Sequence, residues 1–115
     1  MNKFEDKQKK RIKNALKIMR KSAGIKYEVV KDVHGMDPSH VENGDSFPTM
    51  ATIVNYSLMC RSCPGWLLLL SSQVDNGTIT EPEFYDIISN WDFYKQLAEM
   101  KVGELMNMIK AGIRC

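Results

Sequence analysis

The strongest restriction on the fold is an apolar stripe near the N-terminus that repeats with the period of an α-helix. Its members are Ile12, Ala15, Leu16 and Met19. Their spacing of i, i+3, i+4 and i+7 places them on one side of a helix that must bury that side. A row of cations follows on the adjoining face, at Lys10, Lys13, Lys17 and Arg20. Burial of the stripe therefore predicts that this row points outward, and Ala23-Gly24 is the expected end of the helix.

The rest of the chain also predicts helices. Apolar residues at helical spacing favour helices over 26–33 and 49–59, and the Leu-rich segment 66–72 favours a buried helix after a break at Pro64-Gly65. The segment 36–48 is rich in turn-forming residues and has room for at most two helical turns. Since no segment alternates convincingly as a strand does, the predicted fold class is all-α, with roughly six or seven helices.

Three residues have the chemistry of helix starts. Asp37 is a plausible N-cap because Pro38 follows at the first helical position. Thr80 precedes Glu83 by three residues, which is the pattern of a capping box. Asp92 is the expected cap of a last helix that runs to about residue 111.

The charges are divided unevenly along the chain. Residues 1–31 contain 11 Lys and Arg against three acidic residues, a difference of +8, whereas residues 32–115 contain five against 11, a difference of −6. A basic N-terminal third followed by an acidic remainder of the chain is typical of proteins with an anionic partner such as nucleic acid. The alternative is a helical face that is simply solvated.

Composition indicates a soluble globular domain, with 43% hydrophobic and 26% charged residues in a chain of 115. The longest apolar run, 66–70, is far shorter than the roughly 20 residues that a membrane span needs. The charged segment 3–11 lacks the apolar stretch of a secretion signal. We therefore expect a cytoplasmic protein without a membrane partner.

Two segments in the first half carry a family resemblance. Arg20-Lys21-Ser22-Ala23-Gly24 has the pattern of a first helix ending in a turn, and Val41-Glu42-Asn43-Gly44, with Phe47-Pro48-Thr49 after it, looks like the end of a recognition helix. Over about residues 12–70 the chain resembles the lambda-repressor-like (Cro/CI, XRE-type) helix-turn-helix regulators. The resemblance implies a helix-turn-helix bundle with a C-terminal helical extension that acts as a dimeric, DNA-binding transcriptional regulator, in our interpretation a repressor. We expect no cofactor.

By the same resemblance, DNA contacts can be assigned to individual residues. The cations expected to hold phosphates are Lys13, Lys17, Arg20, Lys21 and Lys26. Ser39 and His40 are expected to face the bases, because both can donate hydrogen bonds to base edges in the major groove.

The recognition helix is shorter than the family pattern. Only six residues separate Gly35 from Glu42, and the family usually has about three more, close to one helical turn. Asp37 in this segment would also repel phosphate. The alternative function is therefore a protein-interaction module that has lost specific DNA readout. An exposed helix over 36–42 favours DNA, and an irregular loop there favours a protein partner.

The most specific short motif in the sequence is a C-x-x-C, formed by Cys60 and Cys63. With His34 and His40 they could supply four zinc ligands, but the order of the ligands fits no familiar zinc finger. A redox role would need a βαβ context, and three cysteines in a chain without an export signal do not indicate disulfides. The favoured interpretation is two small core residues at the end of a helix, with no metal bound.

No spacing in the chain predicts an enzyme. The sequence contains no phosphate-binding loop, dinucleotide-binding motif, metalloprotease motif or serine-hydrolase arrangement. The acidic residues Glu81, Glu83 and Asp86 could be drawn as a carboxylate cluster. Acids in the first turns of a helix, where they favour its dipole, are the simpler explanation.

The C-terminal region offers more than one apolar face. The stripe Phe84, Ile87, Ile88 and Trp91 can pack on the N-terminal domain. A second stripe then needs another surface, either an appended core or, as we favour, a homodimer interface; it consists of Ala98, Val102, Leu105 and Ile109. The predicted organisation is a flexible basic arm (1–11), a helix-turn-helix domain (12–74) and a helical dimerisation element (79–115).

Overall fold

The computed structural model describes residues 3–114, without the side chains of 3–4, 97–99 and 113–114. This part of the chain forms seven helices and no strand, which confirms the all-α class. The helices are α1 (Lys3–Ser22), α2 (Tyr27–Asp32), α3 (Pro38–Asn43), α4 (Met50–Met59), α5 (Pro64–Asp75), α6 (Glu81–Ser89) and α7 (Trp91–Arg114). No helix in the described range is both long and apolar enough to cross a bilayer.

Helix α1 is the centre of the fold. Its predicted apolar stripe is buried, with Ile12, Leu16 and Met19 in the core. The helix ends where Gly24 adopts a φ of 72°, a left-handed conformation that glycine takes without steric cost. The prediction of a flexible arm over 1–11 is wrong for residues 3–11, which form the first half of α1. Charged residues are good helix formers, and Arg11 of this half is buried against α5.

One core joins both halves of the chain. Tyr56 of α4 and Leu67 of α5 lie in the same buried cluster as Phe84 and Ile88 of α6. Because α6 packs on α1, the boundary predicted between 12–74 and 79–115 does not separate two cores. The expectation that the stripe of Phe84, Ile87, Ile88 and Trp91 packs on the N-terminal part is confirmed for three members, which are buried, whereas Ile87 is only partly buried.

Local capping chemistry sets several helix starts. The carboxylate of Asp37 accepts hydrogen bonds from the backbone N–H groups of Ser39 (3.1 Å) and His40 (3.4 Å), as predicted. The predicted capping box of Thr80 and Glu83 is also present, with reciprocal hydrogen bonds of 3.0 and 3.2 Å. These start signals are short-range, which is why the sequence alone reveals them.

Two predicted positions differ from the structure. The break between α4 and α5 is present but falls at residues 60–63, because Pro64 occupies the first position of α5, where its missing N–H removes no helical hydrogen bond. Asp92 is not the cap of the last helix, because α7 already begins at Trp91 and Asp92 lies in its first turn.

Helix α7 has 24 residues, a length of about 36 Å, and extends away from the core after its first turn. Its apolar side chains beyond residue 99 are exposed: Met100, Val102, Leu105, Met106, Met108 and Ile109. The side chain of Ala98, which was assigned to the same stripe, lies outside the described residues. Helix α7 therefore carries a long apolar surface that the described part of this chain leaves uncovered.

Candidate nucleic-acid interface

The segment from α2 to α3 forms two short helices joined by a turn. Gly35 in the turn has a φ of 65°, which favours glycine because a side chain is strained in that conformation. The backbone N–H of Met36 then donates to the carbonyl of Val30 (3.2 Å), which closes the turn against α2. Residues 38–43, where the sequence left helix or loop open, form the helix α3.

A buried ion pair attaches α3 to α1. The Arg20 guanidinium donates from Nε to Oε2 of Glu42 (2.7 Å) and from Nη2 to Oε1 (3.1 Å). Tyr56 adds a third hydrogen bond from its hydroxyl to Oε2 (2.7 Å). Residue Glu42 is only 4% exposed, so its carboxylate is held by protein donors in place of water. A charge-assisted, two-point contact of this kind fixes both position and orientation.

The protonation states of these residues are held by their surroundings. The hydrogen bond to Glu42 raises the pKa of Arg20 further above its ordinary value, so the guanidinium stays charged. Burial, together with the hydrogen bond to Glu42, raises the pKa of Tyr56, so the hydroxyl keeps the proton that it donates. Both donors to Glu42 therefore keep their protons across the physiological pH range.

A second cation holds the C-terminal end of α3. Lys13 Nζ donates to the backbone carbonyls of Val41 (2.9 Å) and His40 (3.4 Å). A cation at the end of a helix is favourable because the last carbonyls carry partial negative charge. Burial lowers the pKa of Lys13, as does the charge of Lys9, while Asp45 opposes the shift.

The prediction that Lys13 and Arg20 point outward is wrong. They are 6% and 7% exposed, because α3 packs over the side of α1 that carries them. Their long side chains reach partners on α3, so neither is placed to hold a DNA phosphate. The sequence contained one signal of this, the acidic residue Glu42 in the segment that forms α3, which is a possible partner for a cation of α1.

The other predicted contacts are accessible to different degrees. Lys21 in the last turn of α1 and Lys26 just before α2 are exposed, and Lys17 is half-buried. The side chains of Ser39 and His40 are exposed on the first turn of α3. The structure thus leaves three of the five predicted phosphate ligands and both predicted base-reading residues at least partly open to solvent.

Gly44 ends α3 for a steric reason. Its φ of −71° is accessible to any residue, but a Cβ at this position would collide with the carbonyl oxygen of His40 and come within 3.0 Å of His40 Nδ1. The backbone N–H of Gly44 donates to that carbonyl (2.9 Å), so the backbone of Gly44 lies close to the last turn of α3. The glycine is needed for close approach rather than for a left-handed turn.

Sequence reasoning missed the network around Arg11. Its guanidinium donates to the carbonyl and hydroxyl of Ser71 (both 3.2 Å) and to Asp75 (2.8 Å). Partial burial acts to raise the pKa of Asp75, but the hydrogen bonds from Gln8 and Arg11 outweigh it and lower the pKa. This network fixes α1 against α5, and the partners lie too far apart in sequence for a motif to reveal them.

The sequence predicts that both cysteines of the C-x-x-C motif lie in the core, and this is wrong for Cys63. Cys60 is partly buried at the end of α4, and burial raises the pKa of its thiol to about 11. Cys63, the N-cap residue of α5, is exposed. Within the described part of the chain, no three His, Cys, Asp or Glu side chains converge as metal ligands would.

Comparison with protein-family models, curated proteins and solved structures finds no match to this chain.

Proposed function

We propose that the protein is a DNA-binding transcriptional regulator that acts as a dimer and presents α3 to the major groove. The observation that carries the proposal is the two-sided character of α3. Its inner side is fixed by the pairing of Glu42 with Arg20, and its outer side exposes Ser39 and His40. A short, rigidly held helix with polar side chains facing solvent is suited to reading base edges.

The charge of the N-terminal third supports the same function. Although Arg11, Lys13 and Arg20 have partners inside the protein, Lys21 and Lys26 lie exposed on either side of the turn that leads into α2. Cations here can hold phosphates while α3 enters the groove. Binding then depends on ionic strength, since each phosphate contact releases counterions.

The dimer is proposed from α7. Its exposed apolar residues Val102, Leu105, Met106 and Ile109 follow the spacing i, i+3, i+4 and i+7, which gathers them on one side of the helix. Two copies of α7 that pack through this side would cover it and hold two α3 helices at a fixed separation, as paired half-sites require.

A specific observation favours a second candidate, a protein-interaction module. Asp37 occupies the backbone N–H groups at the start of α3 and places a carboxylate where a phosphate would otherwise be attracted. With six residues, α3 also reaches fewer bases than a longer recognition helix. Under this alternative, the exposed surface of α3 binds a protein.

Fluorescence anisotropy with a labelled DNA duplex of random sequence, measured at a series of potassium chloride concentrations, tests the proposal. We expect binding at low salt that weakens steeply as salt rises. In the double variant Lys21→Ala/Lys26→Ala, the slope of log affinity against log salt should become shallower by about 1.8 for each subunit, or about 3.6 for the proposed dimer, because each lost contact accounts for about 0.9. The control is Lys101→Ala/Lys110→Ala on α7, which removes the same charge and should leave the slope unchanged.

Specific readout needs a separate measurement. Selection of bound duplexes from a random pool should enrich a sequence, and Ser39→Ala or His40→Ala should reduce the preference for it by about 1–3 kcal/mol for each lost base contact. A protein that binds no DNA even at low salt would refute the regulator and leave the protein-interaction module.

A further inference from the structure

Helix α1 presents a row of lysines to solvent on the side opposite its buried stripe. Lys7, Lys10 and Lys21 are exposed and Lys17 is half-buried, with the exposed Asn14 between them. Their spacing of i, i+3, i+7, i+10 and i+14 gathers the five on one side of the helix. The four lysines, called the lysine row below, extend over roughly 21 Å, since a helix rises about 1.5 Å per residue.

The lysine row is not the row of cations that the sequence pattern predicts. The pattern places Lys13 and Arg20 on the outward face, but α3 covers that side of α1. The lysine row lies beside the covered side and keeps its contact with solvent. On its other side it is bordered by α6, where Asn14 donates to the Tyr85 hydroxyl (3.3 Å) and Tyr85 donates to Glu81 (2.9 Å). One carboxylate therefore lies on this border, beside four lysines.

The lysine row has no counter-charge on α1. No Asp or Glu occurs between residues 7 and 26, and none of the four lysines forms an ion pair within the described part of the chain. Cations three or four positions apart, such as Lys17 and Lys21, repel each other and destabilise a helix. A helical face that is only solvated typically mixes both signs of charge. The arrangement therefore favours a surface that meets an external anion.

The side chains on this surface limit which anion fits it. Over residues 7–21 the exposed side chains are all Lys or Asn, so no apolar or aromatic group is exposed. A helix that lies on a membrane buries an apolar face in the lipid, and single-stranded nucleic acid is held largely by stacking on aromatic rings. The lysine row offers neither. A straight row of positive charges instead matches the regular phosphates of a duplex, about 3.4 Å apart along the axis of each strand.

We propose that the lysine row holds the phosphate backbone of duplex DNA without reading its sequence. The choice of DNA rests on the proposed function, because the row ends at Lys21, one of the exposed cations assigned to phosphates beside α3. From Lys21 the contact extends along α1 toward its N-terminus. The other three lysines then hold DNA that flanks the sequence read by α3.

Salt titration of a labelled DNA duplex of random sequence, followed by fluorescence anisotropy, tests the lysine row. In Lys7→Ala/Lys10→Ala, the slope of log affinity against log salt should become shallower by about 1.8 for each subunit, because each phosphate contact accounts for about 0.9. The variant should melt at the same or a higher temperature, since alanine is a good helix former and the change relieves repulsion. Lys101→Ala/Lys110→Ala, which removes the same charge from α7, should leave the slope unchanged.

Two comparisons separate the lysine row from the reading of bases by α3. Ser39→Ala/His40→Ala should leave the affinity for a random duplex unchanged, whereas Lys7→Ala/Lys10→Ala should weaken random and selected duplexes by the same factor. If the protein selects a sequence but the lysine variant keeps the slope of the unaltered protein, the lysine row is refuted and the proposed function stands. If no sequence is selected while the slope still depends on Lys7 and Lys10, the lysine row stands and the specific regulator fails.

Vesicles of phosphatidylcholine with phosphatidylserine are the second probe. We expect the protein to bind duplex DNA in preference to these vesicles, since the lysine row offers no apolar group to the lipid. Absence of binding to duplex DNA at low salt overturns the proposal. Tighter binding to the vesicles that depends on Lys7 and Lys10 also overturns it and identifies a membrane surface as the partner.

Discussion

Arg20 and Glu42, 22 positions apart in the chain, meet through two hydrogen bonds of 2.7 and 3.1 Å in the interior of the protein. This pair determines where α3 lies on α1. Since removal of one partner leaves the other as a buried, unpaired charge, the pair is far more sensitive to substitution than a surface ion pair.

Glu42→Ala should therefore lower the free energy of unfolding by about 3–5 kcal/mol, measured by urea denaturation. Tyr56→Phe, which removes only the third hydrogen bond to Glu42, should cost about 1.5–3 kcal/mol. The control is Glu104→Ala in the exposed pair with Lys101 on α7, where less than about 1 kcal/mol is expected. An equally small effect at Glu42 would contradict the role given to the buried pair.

Gly44→Ala and Gly103→Ala should change stability in opposite directions. A methyl group at Gly44 collides with the His40 carbonyl, and we expect a loss of about 1–3 kcal/mol. Gly103 lies within α7 with open space around it, so alanine there should raise the stability of α7 by up to about 1 kcal/mol. Circular dichroism during thermal unfolding measures both, and a neutral Gly44→Ala would refute the close-approach argument.

Asp75 should contribute stability that is lost in acid. Its pKa in the folded protein is lowered from the model-peptide value of 3.8, so the folded state favours the ionised form. That stability is present above the unfolded pKa and disappears as the pH falls through the lower folded pKa. The difference in unfolding free energy between the unaltered protein and Asp75→Asn should accordingly be greatest near neutral pH and shrink below about pH 4.

The control for Asp75 is Asp32→Asn, which removes an exposed acidic residue at the end of α2. If the difference for Asp75→Asn stayed constant down to strong acid, the contacts from Gln8 and Arg11 would not be the cause of the lowered pKa.

The oligomeric state should depend on one side of α7. Leu105→Glu, in the stripe proposed as the dimer interface, should shift the protein from dimer to monomer at micromolar concentration, as measured by light scattering. Met100→Glu makes a similar apolar-to-acidic change on the opposite side of the same helix and should leave the dimer intact. A monomeric unaltered protein at that concentration would remove the dimer from the proposal.

The helices could be predicted from residues close together in the sequence, whereas the contacts between helices could not. The stripe of Ile12, Leu16 and Met19 and the cap at Thr80 depend on residues within a few positions of each other, and the structure has them as the sequence indicates. The orientation of Lys13 and Arg20 depends on which helix packs beside α1, and periodicity carries no information about that.

The candidate site shows the same division. The exposure of Ser39 and His40 follows from a helix start at Asp37, which the sequence reveals. Trp91 and Arg61, by contrast, line one cleft only because α4 and α6 end near each other. No spacing in the sequence predicts that these two residues line the same cleft.

The packing of α6 on α1 has a consequence for how the protein is made. A ribosome releases the N-terminal helix first, at roughly 5–20 residues per second, yet the partners Phe84 and Ile88 of its apolar side come from the last third of the chain. Until they emerge, Ile12, Leu16 and Met19 remain incompletely covered on a nascent chain. The time between the synthesis of α1 and that of α6 is therefore the interval in which this protein most needs protection from aggregation.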